Sequence, residues 1–360
     1  MPIETSSGIG TGGSPTSITV GSAPNSCASN STTGQTVCIG NNTDVYLING
    51  STLTSTLTSG ATSTEGFSGG DCENCGVVVD ASTNRALITI GLESGGPGGY
   101  QFLDLGGTPG FEAPIPAGTT TSENVLIDPA RHLILSPNEG SLYQLTNIST
   151  STAALFNNQL EDGEFDSAAE DCTTGIALAT VEFTGNLYIA DLTQANFTPG
   201  TPGTWTDAAS QVQIFPEFEP GNETTGGLSA GTCGIAVAPG THLGIVTGEF
   251  GGALEGVIQL PSTSGSGTPG VTDYVAFTVP SPPTEDAWSQ GFDPHTVSAY
   301  VSPNSHKAYA LLENGDFSYV AIVDLQGMLS APRTGAHTAT SPLPAGLVTF
   351  ICEMPGGCGT

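Results

Sequence analysis

Short apolar runs recur along this chain, each bounded by Gly, Pro, Asn or Ser; Gly76-Val77-Val78-Val79 and Ala86-Leu87-Ile88-Thr89-Ile90 are typical. They are rich in β-branched residues and too short for helices, so they read as strands. From about Val37 the runs settle into a loose repeat. It consists of an apolar run, a turn, a second run, a Gly/Asn turn, and a third run that often ends in Asp-Leu.

The copies are clearest where Gly76 to Asp80 leads to Arg85 to Gly91 and then to Tyr100 to Leu105. Asn124 to Pro129, His132 to Pro137 and Ser141 to Leu145 repeat the pattern. So do Gly234 to Pro239, His242 to Gly248 and Gly256 to Leu260, and then Thr296 to Pro303, Lys307 to Leu312 and Tyr319 to Leu325. In the fourth copy, Gly175 to Phe183 and Gly185 to Leu192 are evident, and the former reads as either a first or a second strand. A unit of roughly 50 to 60 residues with three or four strands matches one propeller blade. A further copy around Thr43 to Ile48 brings the expected count to about six, with seven as the neighbouring option. The run Gly346 to Ile351 is expected to complete the first blade, since a terminal strand closing a ring removes an exposed edge. The sequence thus predicts an all-β fold, a single β-propeller over residues 36–352, between a Gly/Ser/Thr-rich arm at 1–35 and a tail at 353–360. A β-sandwich or two stacked β domains is the structural alternative.

Gly-Ile-Ala-Val-Ala-Pro at 234–239 and the third strands ending in Asp-Leu resemble the broad superfamily of YncE-like, NHL and lactonase-like β-propellers. The resemblance covers most of residues 37–351. It is carried by fold-level motifs, so it implies the propeller rather than an activity.

Charge narrows the function classes. Four Lys and Arg stand against 34 Asp and Glu, a formal net charge of −30, and the cations Arg85, Arg131, Lys307 and Arg333 are scattered singly. Binding to DNA or RNA needs clustered cations to displace counterions, so nucleic acid is excluded as a partner, and an anionic membrane surface with it. No run approaches the roughly 18 apolar residues of a membrane-spanning helix.

Eight cysteines, an even number, fit an oxidising compartment. Cys27 with Cys38 and Cys352 with Cys358 are the expected local disulfides, with Cys72, Cys75, Cys172 and Cys233 pairing among themselves. Cys72-Glu73-Asn74-Cys75 also has zinc-site spacing, for which Cys172 and Cys233 would supply the further ligands, but the exported setting favours disulfides. Sequons at Asn30, Asn41, Asn49, Asn147, Asn196 and Asn222 are candidate glycosylation sites. The N-terminus has neither a basic nor an apolar segment, so the expectation is a mature extracellular or cell-surface chain whose signal peptide has been removed.

Motifs for catalysis are weak. Gly-x-Ser-x-Gly at 66–70 and 227–231 lacks the strand-to-helix context of a nucleophile elbow, and Gly-x-Gly-x-x-Gly at 8–13 and 265–270 lacks a βαβ unit. The most notable histidine is His295, in Gly291-Phe292-Asp293-Pro294-His295, just ahead of an expected innermost strand. Its counterparts in other units include Glu73 and Asp171. In a propeller such loops converge on one channel mouth, where carboxylates would need a hard cation such as calcium to offset their repulsion. Related propeller hydrolases place a divalent ion there, so the resemblance implies Glu73, Asp171, Asp293 and His295 as candidate ligands.

Two functions follow. The first is a non-catalytic exported propeller, a binding, matrix or surface protein that engages itself, another extracellular protein or a glycan. The second is a metal-dependent hydrolase or lactonase at the channel mouth, with His295 as general base.

Overall fold

A computed structural model describes residues 4–5, 8–9, 18–21, 24–40, 43–59, 76–90, 99–116, 125–131, 133–138, 142–147, 152–153, 158–159, 165, 167–181, 185–194, 209–215, 232–248, 254–263, 269–280, 295–302, 304–314 and 317–352. The chain is all-β and propeller-like, and it divides into two compact units. Residues 1–165 with 196–204 make the first, and 166–195 with 205–360 the second.

The first unit holds three antiparallel meanders. Pro24–Ser29, Gln35–Gly40, Asp44–Asn49 and Thr52–Thr58 form the first sheet. Val77–Asp80, Arg85–Ile90 and Gly99–Asp104 form the second, with the short strands Gly110–Phe111 and Ile115–Pro116 both on its third strand. Leu126–Asp128, Leu133–Asn138 and Leu142–Asn147 form the third, edged by Thr152–Ala153 and Asn158–Gln159. A small pair, Glu4–Thr5 with Gly8–Ile9, precedes them.

The second unit repeats the scheme. Its sheets are Ala168–Asp171, Ile176–Thr180, Asn186–Asp191 and Ala209–Gln213; then Thr232–Ala238, Leu243–Gly248, Leu254–Gln259 and Asp273–Thr278; then His295–Val301, Lys307–Asn314, Phe317–Asp324 and Val348–Cys352. They are called the fourth, fifth and sixth sheets below. Within each unit the first strand of one sheet lies beside the first strand of the next, which is the propeller-like feature.

Within each unit, core layers fill the space between consecutive sheets. Val37, Val45 and Leu47 of the first sheet pack on Ala86, Ile88 and Leu103 of the second. Leu178 and Ile189 meet Ile235, Val246 and Ile258, while Ile245, Val257 and Val275 meet Ala308, Ala321 and Val323. In the second and fifth sheets strand residues alternate between two such layers, Ile88 facing the first sheet and Leu87 the third, Ile258 the fourth and Val257 the sixth, so these sheets are apolar on both faces and their inner strands read as near-continuous apolar runs.

The Asp-Leu endings have a structural cause. Leu105, Leu192, Leu260 and Leu325 are buried, and their amides donate to the carbonyls of Asn84, Gly175, His242 and His306. Those acceptors close the turn between the first and second strands of their sheets and share a positive φ of 55° to 77°. Gly175 takes this conformation without strain, whereas Asn and His tolerate it as single residues. The aspartates ahead of the leucines cap the following turn: Asp104 accepts from the Gly106 amide, Asp191 from the Thr193 amide and Asp324 from the Gly327 amide.

Two expectations change, and one open register is decided. Val348–Cys352 pairs with Phe317–Asp324 in the sixth sheet and does not complete the first, which already has four strands of its own. In the fourth sheet Ile176–Thr180 is the second strand; the first is Ala168–Asp171. The first sheet begins at Pro24, within the stretch read as an arm.

Candidate functional site

The turns between first and second strands are built alike. Asn30, Asp80, Asp128, Asp171 and Ser302 end the first strand or directly follow it, and each accepts hydrogen bonds from amides two and three residues on or from a nearby hydroxyl. These are Asx and Ser turns, which supply local acceptors for amides outside the ladder.

Two of these residues also reach the neighbouring sheet. The Asn30 amide donates to Asn84 Oδ1 at 2.7 Å. Asp171 is wholly buried; its Oδ2 accepts from His242 Nδ1 at 2.5 Å and its Oδ1 from the Gly240 amide at 3.1 Å. Burial alone would raise the Asp171 carboxyl, but hydrogen bonds from Thr173, His242 and Gly240 outweigh it and hold it below its ordinary value.

Asp171 is therefore not in a loop ahead of a first strand, as the sequence led us to expect. It closes Ala168–Asp171, whereas His295 opens His295–Val301, with Glu313 as its register partner. Glu73 and Asp293 lie outside the described residues. Among the described residues no three His, Cys, Asp or Glu side chains gather as a metal site would require. Sequence reasoning singled out His295 and passed over His242; the signal was the recurrence of His at the last turn position, as in Pro239-Gly240-Thr241-His242 and Pro303-Asn304-Ser305-His306.

Cys27 and Cys38 face each other in the first sheet and form a disulfide. Cys172 lies in the turn after Asp171, and Cys233 and Cys352 lie in strands. Cys72, Cys75 and Cys358 lie outside the described residues. Of the sequons, Asn30 is buried with both ends of its amide engaged, while Asn49 is exposed beside the Gly50 turn. Asn147 ends a strand, and Asn41, Asn196 and Asn222 are outside the described residues.

The second unit carries a groove of about 1080 Å³. One wall is the outer strand of the fifth sheet, including Phe277, with Val279 just after it. Another is Ile214 and Phe215 at the end of the fourth sheet, and a third is the excursion 334–348 between the last two strands. This excursion crosses onto the fifth sheet. The Ala276 amide donates to the His337 carbonyl at 2.7 Å, and the Ala339 amide to the Ala276 carbonyl at 3.0 Å, so the excursion bridges to the outer edge at one position, Ala276 beside Thr338. Arg333 holds it there through a bidentate pair with Asp273, at 3.0 and 2.7 Å, and further bonds to the Leu329 and Ala336 carbonyls. His337 stacks on Tyr274 with ring centroids 3.9 Å apart. None of the described residues lining the groove is Asp, Glu, Lys or Arg.

One buried acid stands apart. Glu255 is fully inaccessible, and among the described residues neither of its carboxyl oxygens has a hydrogen-bond partner. It shares a face with Val257, opposite Thr247 and Phe277, in the layer between the fifth and sixth sheets. Desolvation pushes its carboxyl up to about 8.

An all-β chain of propeller-like meanders, with a groove in the second unit whose described lining carries no Asp, Glu, Lys or Arg, is what fold and site define. Neither a protein-family model nor a curated protein sequence matches it.

Proposed function

We propose that this is an exported, non-catalytic β-propeller of the YncE-like kind, its six meanders closing into one ring, that binds a neutral, apolar ligand in the rim groove of the second unit. The observation that carries the reading is the groove's lining. In a chain of net charge −30, the described residues around it offer Phe215, Phe277, Val279 and Leu343 and no Asp, Glu, Lys or Arg. Concave, mostly apolar surfaces with a few polar groups are the usual ligand sites, and the lining's one imidazole, His337, is stacked on Tyr274 with its Nδ1 3.1 Å from the Tyr274 carbonyl, held in the wall of the groove. The cysteine pair in the first sheet supports the extracellular setting.

Two measurements test the reading together. The neutral dye Nile red should bind and be displaced on Leu343→Glu, a half-buried groove position, without loss of the thermal transition. Lactone and ester substrates should not turn over, with or without calcium after chelation. Divalent-dependent lactone hydrolysis that disappears in Asp293→Ala or His295→Ala would replace this reading with the hydrolase.

A further inference from the structure

The first sheet ends in an outer strand, Thr52–Thr58, whose residues alternate between exposed and half-buried. It carries no charged residue and no proline. Those are the devices that ordinarily stop an edge strand from pairing with another chain. The fifth sheet shows the contrast, since its outer edge is covered by the chain's own segment around His337 and Ala339.

A bulge at Thr54 ends the regular stretch on one side: Leu47 faces Ser55 and Ile48 faces Leu53. Beyond it the sequence is Ser55-Thr56-Leu57-Thr58-Ser59, which reads the same in both directions about Leu57. The Ser59 amide turns inward to the Thr43 carbonyl at 2.8 Å. Ladder groups alternate, so Leu57 and Ser55 also turn inward, and the amides and carbonyls of Thr56 and Thr58 point out from the edge. Both threonines are exposed, and no hydrogen bond from a described residue reaches those outward groups.

From this palindrome we infer that the protein forms a two-fold symmetric dimer in which the Ser55–Ser59 edges of two copies pair antiparallel about Leu57. Each Thr56 then exchanges amide-to-carbonyl bonds with Thr58 of the other copy, joining the two first sheets into one. An isologous interface requires a surface that complements itself under a two-fold axis, and a palindromic strand in antiparallel register does so residue by residue. Threonine opposite threonine and leucine opposite leucine are favourable cross-strand pairs. Leu57 already packs on the core layer of the first sheet, and its counterpart extends that layer. The dimer stands apart from the groove: a monomeric protein would overturn it without touching the ligand-binding reading, and a silent groove leaves it intact.

The test is sedimentation velocity of the full chain over a wide concentration range, at low salt and at about 0.5 M salt, which screens the repulsion between two acidic copies. The wild type should show a monomer–dimer equilibrium that tightens with salt. Thr56→Lys combined with Thr58→Lys sets like charges opposite each other and should weaken the dimer at least tenfold. Thr56→Lys combined with Thr58→Glu turns the same register into two opposite-charge pairs and should restore it. These exposed positions should leave the thermal transition unchanged in all three proteins. A wild type that stays monomeric throughout, a dimer indifferent to the double lysine variant, or no recovery in the lysine–glutamate variant would each overturn the inference.

Discussion

His242 Nδ1 donates to Asp171 across two neighbouring sheets, and the donor is the residue that closes one turn while the acceptor opens the other. The same geometry joins Asn84 to Asn30 in the first unit, where the amide nitrogen of Asn30 is the donor. A repeat of turns is thus also a chain of staples. At Asn30 and Asp171 the polar residue of the turn start is engaged in holding two sheets together, and so conspicuous an acid as Asp171 serves the fold.

Replacing Asp171 should therefore cost stability and nothing specific to a ligand. Asp171→Asn should destabilise by about 1 to 3 kcal/mol at pH 7, the usual effect of spoiling a buried, charge-assisted network. A double-mutant cycle with His242→Ala should give a coupling of at least about 0.5 kcal/mol. Because the folded carboxyl is held below 3.8, its contribution is fully present above that value and is lost as pH falls further. The gap between wild type and Asp171→Asn should accordingly close in acid; a gap that widens below pH 4 would refute the staple.

Glu255 should have the opposite pH signature. Its folded carboxyl binds a proton up to about 8, against an ordinary value of 4.5, so its contribution is fully present below 4.5 and is lost as pH rises towards 8. Between pH 4.5 and 7 the loss is roughly 3 kcal/mol at 1.36 kcal/mol per pH unit. Glu255→Gln never ionises and should lack this slope, and Glu255→Met should be more stable than the wild type at neutral pH. Self-repulsion at net charge −30 also relaxes in acid, but variant and wild type share most of it, so denaturant midpoints compared from pH 4.5 to 8.5 isolate Glu255. Parallel curves would refute the assignment.

Much of the fold was legible because strands buried on both faces announce themselves as apolar runs. Arg85–Ile90, Leu243–Gly248 and Lys307–Asn314 lie where the runs do. The strands that escaped are those with little apolar signal. Ala168–Asp171 is two alanines and two acids, and missing it displaced Asp171 by one strand and from one end of the sheet to the other. Pro24–Ser29 is polar apart from Ala28 and Cys27, and so it merged with the leader. The groove was invisible for a different reason. It depends on where the 334–348 excursion lands, a long-range pairing to Ala276 that no local pattern encodes.

That landing rests on Arg333, one of only four cations in the chain. Its guanidinium makes two parallel bonds to Asp273, which hold that carboxyl below its ordinary value, and adds two backbone carbonyls. Both side chains are partly solvated, so Arg333→Ala should cost only about 1 kcal/mol in global stability. The local effect should be larger: limited proteolysis within 332–340 should accelerate severalfold. Arg333→Lys should recover little of the protection, because an ammonium cannot form the planar bidentate pair. Equal protection in Arg333→Ala would mean that the Tyr274–His337 stack and the Ala276 bonds suffice alone.

Cys27 and Cys38 give the most direct test of the compartment. They are register partners on the first two strands of the first sheet, separated by 11 residues. Closing so short a loop removes chain entropy from the unfolded state worth about 3 kcal/mol, so replacing both by Ser should lower the midpoint by that amount if the ladder around them is intact. On the proposed exported reading the remaining six cysteines should be oxidised too, so thiol titration of the denatured, unreduced protein should find almost no free sulfhydryl. Prior reduction should then reproduce the loss seen in the double serine variant and add to it. Four or more free thiols in protein purified from its native location would remove the oxidising compartment from the reading and return Cys72, Cys75, Cys172 and Cys233 to consideration as metal ligands. A titration of zero with an unchanged midpoint in the double serine variant would instead keep the compartment and show that this bridge is redundant with the strand pairing around it.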